Sequence, residues 1–286
     1  MIKEIKDYST AGFVLKPNAP EIKDIFLKIK EEFEEFGIDV FLDNKSAKMI
    51  DMEGIKFSKM YKKCDFLVSL GGDGTLLSLV RRSYKYNKPV AGINAGNLGF
   101  LADVRINEVK NFLQQLRDGE CRIDERMMIS GEIEKGDKRK EFYAFNDVVI
   151  TRPKISKMAT IEVFVDDEMI NSYRGDGLII STPTGSTAYN LAADGPVMYP
   201  LTKAFILTPI CPHSLTQRPL VMPADFTISI KTPNKKLVAV IDGQDNYELD
   251  VEDRLIIKGA CNSAKLLHRK ERNYFRVLRD KLSWGE

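Results

Sequence analysis

The sequence predicts two domains of different class, an α/β domain with an open parallel sheet followed by an all-β domain. Up to Gly119, short apolar strands alternate with amphipathic helices, which is typical of a parallel sheet. From Asp124 onward, apolar and polar residues alternate in stretches separated by Gly, Pro, Asn and Asp, which favours antiparallel strands. A chain of 286 residues with 43% hydrophobic content is long enough for two ordinary domains.

The first domain is expected to contain four strands and three helices. The strands are AGFVLKP (11–17), IDVFLD (38–43), CDFLVSL (64–70) and PVAGIN (89–94), and the helices span 21–37, 75–87 and 106–119. In the first helix, six apolar residues fall on one stripe: Ile22, Ile25, Phe26, Ile29, Phe33 and Phe36. Gly37 is expected to end this helix, because glycine adopts the left-handed conformation at a helix C-terminus without steric cost.

The second domain is predicted from stretches such as MMISGEIE (127–134), EFYAFNDVVI (141–150), ATIEVFVDDEMI (159–170) and FTISIKTP (226–233). Near the C-terminus, Tyr274, Phe275, Leu278 and Leu282 return to helical spacing. We therefore expect an α/β domain over 1–123, a β-rich domain over 124–263, and a C-terminal segment, 264–286, that packs back on the first domain. Without a repeat or a low-complexity linker, the two domains are expected to be in close contact rather than tethered.

Composition excludes several classes of partner and site. The formal charge is only +2, from 43 Lys and Arg against 41 Asp and Glu, so neither a nucleic acid nor a membrane surface is an expected partner. The four cysteines are widely spaced and form no C-x-x-C pair, and two histidines are too few for a histidine metal cage. With no signal-peptide h-region and no stretch of about 20 apolar residues, we expect a cytoplasmic protein.

A glycine-rich loop follows the third predicted strand. The run GGDGT, Gly71–Thr75, ends that strand and opens a helix, so its backbone N–H groups are suited to phosphate oxygens. It matches neither the Walker A loop nor the G-x-G-x-x-G fingerprint. Asp73 needs its own explanation, because a carboxylate repels the anions that such loops hold. Either Asp73 caps the helix, or it lies near a transferring phosphoryl group, where it accepts a proton or holds a metal ion.

Three further stretches are candidates for a binding site. GINAGNLGFLAD, residues 92–103, is a second glycine-rich loop after a strand, although an ordinary β-to-α connection would look the same. Residues 174–200 combine glycines, hydroxyls and carboxylates, which favours ligand binding over a hairpin loop with a helix capped by Ser186 or Thr187. Asn146 and Asp147 interrupt an apolar strand and demand either polar partners, an open cleft or a β-bulge.

Taken together, these motifs resemble the NAD kinase family over most of the chain. GGDGT, NAGNLGFL, NDVVI, DGLIISTPTGSTAYNLAADGP, ICPHSLTQRPLV, IDGQ and LRDKLSWG occur in the family's order. GGDG alone is shared with lipid kinases and phosphofructokinases, whereas the TGSTAY stretch is specific. The resemblance implies a Rossmann-like open parallel sheet domain, a β-sandwich-like domain, and transfer of the γ-phosphoryl group of ATP to the 2′-hydroxyl of the adenosine ribose of NAD.

The resemblance also implies roles for individual residues, with Asp73 as the proton acceptor. Expected contacts with NAD are made by Asp73, Gly74, Phe100, Asn146, Asp147, Lys157, Arg174, Asp176, Thr187, Ala188, Tyr189, Asn190, Leu191, Ala192 and Gln244. The phosphate groups of ATP are expected on Gly71, Gly72, Gly74 and Thr75. A divalent metal ion, Mg²⁺, is implied without identified ligands, as is a homodimer or homotetramer in which Arg174 and Asp176 approach the site from a neighbouring subunit.

Two other functions remain open at this point. A lipid kinase of the related GGDGT group is disfavoured, because the sequence has no basic amphipathic helix for membrane docking. A nucleotide-binding sensor without turnover is disfavoured by the presence of Asp73.

Overall fold

The computed structural model describes residues 4–96, 99–153, 158–233 and 236–284. The chain forms two compact units, the first within residues 1–125 and 264–286 and the second within 126–263. The first is α/β and the second is built from antiparallel sheets, so the predicted fold class is confirmed.

The first unit is a mainly parallel sheet with helices. Its elements are β1 (Thr10–Leu15), α1 (Lys23–Glu35), β2 (Asp39–Leu42), α2 (Asn44–Met49), α3 (Phe57–Lys63), β3 (Phe66–Gly71), α4 (Asp73–Ser83), β4 (Val90–Asn94), β5 (Val104–Arg105), α5 (Val109–Arg117) and β6 (Arg122–Arg126). The sheet order is β2-β1-β3-β4-β19-β6, where β19 (Ala264–His268) comes from the C-terminal part of the chain. β5 pairs with β4 at the side of this order. The carboxyl ends of β3 and β4 are neighbours, and the two glycine-rich loops leave the sheet there.

Apolar spacing explains the packing of α1. Phe26, Ile29 and Phe33 are at most 1% exposed, and Phe13 of β1 meets Phe26 and Phe33 edge to face with ring centroids 5.5 and 5.0 Å apart. Such edge-to-face pairs add about 0.5–1.5 kcal/mol each beyond their buried area. Gly37 has φ +74° at the end of the helix, as its sequence position predicts.

Within the described residues, the second unit consists of two six-stranded antiparallel sheets. Its elements are β7 (Ile129–Lys135), β8 (Lys138–Ala144), β9 (Asp147–Thr151), β10 (Ala159–Val165), β11 (Glu168–Gly175), β12 (Gly177–Ser181), α6 (Tyr189–Ala192), β13 (Ala204–Ile210), β14 (Leu220–Pro223), β15 (Ile228–Lys231), β16 (Leu237–Ile241), β17 (Asp245–Leu249) and β18 (Arg254–Gly259). The sheet orders are β11-β10-β15-β18-β7-β8 and β14-β13-β12-β9-β16-β17.

The stretch EFYAFNDVVI is two strands rather than the single strand that its sequence predicts. β8 ends at Ala144 and β9 begins at Asp147, and these two strands belong to different sheets. The chain crosses between the sheets at Phe145–Asn146. The β-bulge considered for this pair is therefore not what the structure has: Asn146 lies at the crossing and Asp147 begins β9.

The C-terminal residues belong to the first unit. β19 (Ala264–His268) pairs in parallel with β4, and α7 (Tyr274–Leu282) follows it. The predicted apolar face of α7 is partly wrong, because Val277 and Leu278 are its buried residues while Phe275 is 60% exposed. None of the helices within the described ranges is long and apolar enough to cross a membrane.

Candidate functional site

Asp73 is the first residue of α4, and its carboxylate is held by the second glycine-rich loop. Oδ2 accepts the N–H of Phe100 at 2.7 Å, and Oδ1 accepts those of Leu101 and Ala102 at 3.1 and 2.9 Å. Gly72 occupies the N-cap position of the helix. The carboxylate of Asp73 thus accepts its hydrogen bonds from the second glycine-rich loop. It does not cap α4, so that alternative is wrong.

Glycines make this arrangement possible. A Cβ on Gly99 would lie 2.0 Å from Oδ1 of Asp73, so only glycine fits there without displacing the carboxylate. A Cβ on Gly71 would lie 2.4 Å from Oγ1 of Thr75, whereas Gly72 and Gly74 have open space on that side. The second loop is tied to the first by Ala95, whose N–H donates to the carbonyl oxygen of Gly71 at 2.9 Å. The two loops thus place a fixed carboxylate beside uncovered glycine backbone.

In the second unit, Asp242 is held in the same way. Its carboxylate accepts the N–H groups of Phe145, Asn146 and Asp147 at 2.8, 2.7 and 2.9 Å, and its own N–H donates to the carbonyl oxygen of Asp147 at 3.0 Å. Asp242 follows β16 with φ +50°, a conformation that Asp and Asn tolerate in turns. These bonds fix the backbone where the chain crosses between the two sheets.

A cavity of about 420 Å³ opens beside this crossing. It is lined by Asn146, Asp147, Val149, Thr151, Ala188, Tyr189, Val240, Asp242 and Gly243. Oδ1 of Asn146 is buried and has no hydrogen-bond partner within the described part of the chain. An unpartnered buried amide oxygen costs about 1–3 kcal/mol, so a ligand N–H or O–H that reached this acceptor would recover that free energy.

Asp147 is only 4% exposed and lies next to a second carboxylate. Burial, together with the negative charge of Asp242, raises the pKa of Asp147 to about 7. At neutral pH this side chain is therefore divided between a carboxylic acid that donates a hydrogen bond and a carboxylate that accepts one.

The segment from Thr187 to Ala192 makes up part of the cavity wall. Ala188 and Tyr189 line the cavity, and Tyr189 is 47% exposed. Asn190 is fully buried, donating to the carbonyl oxygens of Ser186 and Pro196 and accepting from the hydroxyl of Thr208. The side chain of Asn190 thus holds the loop together, and its contact with a ligand stays a prediction.

Capping does not explain the hydroxyls of this loop. The N-cap position of α6 is Ala188 and receives no side-chain hydrogen bond. The hydroxyl of Ser186 donates to the carbonyl oxygen of Pro183 and accepts the N–H of Met198. The capping role considered for Ser186 and Thr187 is therefore wrong.

Three other predicted contact residues within the described ranges, Arg174, Asp176 and Gln244, are not among those that line the cavity. Arg174, at the end of β11, is exposed, and Asp176 pairs with Arg152 at 2.8 Å. Gln244 lies in the exposed turn after Gly243. Lys157 lies outside the described residues, and for all four the predicted contacts stay predictions.

Sequence reasoning missed Asp242, Gly99 and three cavity residues, Val149 and Thr151 of β9 and Val240 of β16. The motif IDGQ contains Asp242, and an Asp-Gly pair after a strand reads as an ordinary turn. Its hydrogen bonds reach residues about a hundred positions away, so nothing in its own neighbourhood marks them.

No group of three or more His, Cys, Asp or Glu side chains that could hold a metal ion occurs among the described residues. A metal cage made by the protein alone does not fit this arrangement. Mg²⁺ usually binds through one or two carboxylates together with substrate phosphates. We therefore derive no chemical step from a metal ion held by this chain.

Comparisons with known proteins find relatives over nearly the whole chain. Two family models match it, the ATP-NAD kinase N-terminal domain over residues 11–121 and the ATP-NAD kinase C-terminal domain over residues 145–269. The NAD kinase of Sulfurimonas denitrificans is 49% identical, covering 96% of this chain and 97% of the relative. The NAD kinase of Wolinella succinogenes is 48% identical, covering 100% and 99%.

Solved structures of two relatives share the fold. A yeast NADH kinase complexed with NADH superposes with a TM-score of 0.89 at 25% identity, covering 98% of this chain and 89% of that one. An NAD kinase from Archaeoglobus fulgidus in complex with ATP superposes with a TM-score of 0.73 at 25% identity, covering 96% and 98%.

Proposed function

This chain belongs to the NAD kinase family, and we propose that it transfers the γ-phosphoryl group of ATP to the 2′-hydroxyl of the adenosine ribose of NAD, giving NADP and ADP. Asp73 is proposed as the general base that accepts the proton of the attacking hydroxyl.

The hydrogen bonding of Asp73 is the observation that carries this proposal. A carboxylate offers about four lone-pair positions. Backbone N–H groups of Phe100, Leu101 and Ala102 use one position on Oδ2 and two on Oδ1. Among the contacts of the described residues, one position on Oδ2 stays available for the proton of a substrate hydroxyl.

Such a fixed carboxylate is suited to phosphoryl transfer. Positioned general bases contribute about 10²–10⁴ in rate, which corresponds to about 3–5 kcal/mol of barrier. Because the transition state of phosphoryl transfer is loose, orienting the hydroxyl contributes at least as much as removing its proton. The three N–H donors fix the carboxylate of Asp73, which in turn is proposed to orient the hydroxyl.

ATP is proposed to bind through its phosphates to the first glycine-rich loop, at Gly71, Gly72, Gly74 and Thr75. Gly72 and Gly74 have open space where a side chain would be, and α4 begins at Asp73, so backbone N–H groups at its N-terminus are available to anions. A divalent metal ion, Mg²⁺, is proposed as cofactor; bound to the phosphates of the nucleotide, it would supply charge neutralisation there.

NAD is proposed to use the cavity beside Asn146 and Asp147. The unpartnered oxygen of Asn146 accepts from an amino or amide N–H, and Asp147 exchanges hydrogen bonds with hydroxyls of the ribose. Phe100, Arg174, Asp176, Gln244, Lys157 and the run from Thr187 to Ala192 are proposed as further contacts on the basis of the resemblance. A homodimer or homotetramer is proposed on the same basis.

Incubation of the purified protein with NAD, ATP and Mg²⁺ tests the proposal, with NADP detected by an NADP-specific dehydrogenase. We expect NADP from the wild type and a kcat lower by about 10²–10⁴ for Asp73→Asn, with the Kd for NAD within about threefold. The matched control is Asp118→Asn, because Asp118 is an exposed aspartate that follows the end of α5. This control makes the same chemical change away from the glycine-rich loops and is expected to retain the wild-type rate.

Two outcomes would contradict the proposal. A near wild-type rate for Asp73→Asn would refute the role of Asp73. NAD binding without ADP release would indicate a sensor, and parallel incubations with NADH and with a diacylglycerol in vesicles distinguish other acceptors.

A further inference from the structure

A buried cluster of charged side chains adjoins the loop that holds Asp73. His268 of β19 lies between two carboxylates, with Nδ1 3.3 Å from Oδ1 of Asp103 and Nε2 3.6 Å from Oδ2 of Asp124. Arg272, four residues after His268, places Nη1 3.4 Å from Oδ2 of Asp103. All four residues are at most 8% exposed. Buried charges are costly unless paired, so this cluster needs an explanation.

The guanidinium of Arg272 reaches beyond the cluster to the loop itself. Nη2 donates to the carbonyl oxygen of Phe100 at 2.6 Å, and Nη1 donates to that of Leu101 at 3.0 Å. The N–H groups of the same two residues donate to Asp73. Arg272 therefore binds carbonyl oxygens of this loop, while N–H groups of the same two residues bind the carboxylate of Asp73.

We propose that Arg272 is a positioning residue that fixes Asp73 through the peptide groups of Phe100 and Leu101. This inference rests on the proposed function, because it assigns to Arg272 an effect on turnover through Asp73.

Only arginine supplies all of these contacts at once. Its planar fork donates to two carbonyl oxygens while Nη1 forms an ion pair with Oδ2 of Asp103 at 3.4 Å, whereas a lysine offers one compact ammonium. Asp103 is the anion that pairs with the guanidinium of Arg272. Burial alone would raise the pKa of Asp103, but the charges of His268, Arg272 and Arg269 outweigh burial and lower this pKa to about 2. A lysine at position 272 keeps the charge and loses the fork.

A double-mutant cycle separates this role from a general effect on folding. We expect Arg272→Lys to lower kcat by about 10-fold to 100-fold, with the Kd for NAD within about twofold. In an Asp73→Asn background, the same change is expected to lower the residual kcat by less than about twofold, because the group it positions is already disabled. Arg276→Lys is the matched control, since Arg276 is 77% exposed and pairs only with Asp280 among the described residues.

Hydrogen exchange gives a readout that does not depend on activity. In Arg272→Lys, the amides of residues 100–102 are expected to exchange at least about 10-fold faster, with no change in α1. Unchanged exchange at 100–102, an additive cycle, or loss of protection throughout the first unit would each overturn the inference. If Asp73→Asn alone retains the wild-type rate, the proposed function of Asp73 fails, while the exchange experiment still decides whether Arg272 fixes the loop.

Discussion

Asp73 and Asp242 are held alike, each by three consecutive backbone N–H groups, but their surroundings differ. Asp73 is partly exposed among glycines in the first unit, and its Oδ2 accepts one N–H group among the contacts described. Asp242 is 8% exposed and lies beside Asp147, whose pKa it raises. The same hydrogen-bonded arrangement holds the carboxylate that is proposed as the general base in one unit, and in the other it fixes the backbone at Asn146 and Asp147.

Asp242→Asn is expected to have the largest effect on stability, because an amide N–H₂ replaces an acceptor opposite buried backbone donors. We expect a loss of about 3 kcal/mol in the free energy of unfolding, measured by urea titration. Glu248→Gln on the exposed face of β17 is the matched control. An Asp242→Asn protein as stable as the control would show that the three hydrogen bonds do not support the crossing.

Asp147 is expected to make the free energy of unfolding depend on pH. Its pKa is raised from the ordinary 3.8 to about 7 in the folded protein, so between these values the unfolded chain releases a proton that the folded one keeps. The contribution of Asp147 to stability therefore falls as pH rises from about 4 to about 7 and is constant above. Between pH 5 and 7, wild type is expected to lose about 2 kcal/mol relative to Asp147→Asn. Parallel stability curves would contradict this expectation.

Gly99→Ala tests whether the position of the Asp73 carboxylate matters, without changing that side chain itself. A Cβ would lie 2.0 Å from Oδ1, so Asp73 must move, and we expect kcat to fall by about 30-fold, or about 2 kcal/mol of barrier. Gly96→Ala in the same loop is the control, because its Cβ would have only an ordinary 3.9 Å contact with Asn94. Equal rates for the two variants would show that the position of Asp73 is not critical.

Asn146→Ala is expected to have the smallest effect, confined to binding. The side-chain oxygen has no hydrogen-bond partner to lose within the described chain, so the variant should be no less stable to unfolding than the wild type. The Kd for NAD should rise about 10-fold, measured by calorimetry without ATP. Unchanged affinity would remove Asn146 from the binding site, and exposed Asn107→Ala provides the reference.

Much of the fold follows from local pattern. The stripe of α1 and the buried β3 are predictable because apolar spacing fixes which face each element buries. EFYAFNDVVI reads as one strand because the two sheets that receive its halves are assembled from distant segments. Phe275 fits the helical spacing of α7 but lies on its exposed side, since the surface that α7 packs against is not written in its own sequence.

The sequence by itself determined the two fold classes, the glycine-rich loop with Asp73, and the Asn146–Asp147 pair, because these depend on residue type and on neighbours close along the chain. Only the tertiary structure decided what holds them. Asp242 and Arg272 each act on backbone groups far away in sequence, and Gly99 is required by a carboxylate oxygen of Asp73, from the other glycine-rich loop. Every residue except proline carries the same backbone N–H and C=O groups. The sequence therefore does not indicate which peptide groups Asp242 and Arg272 bind, and only the folded structure identifies them.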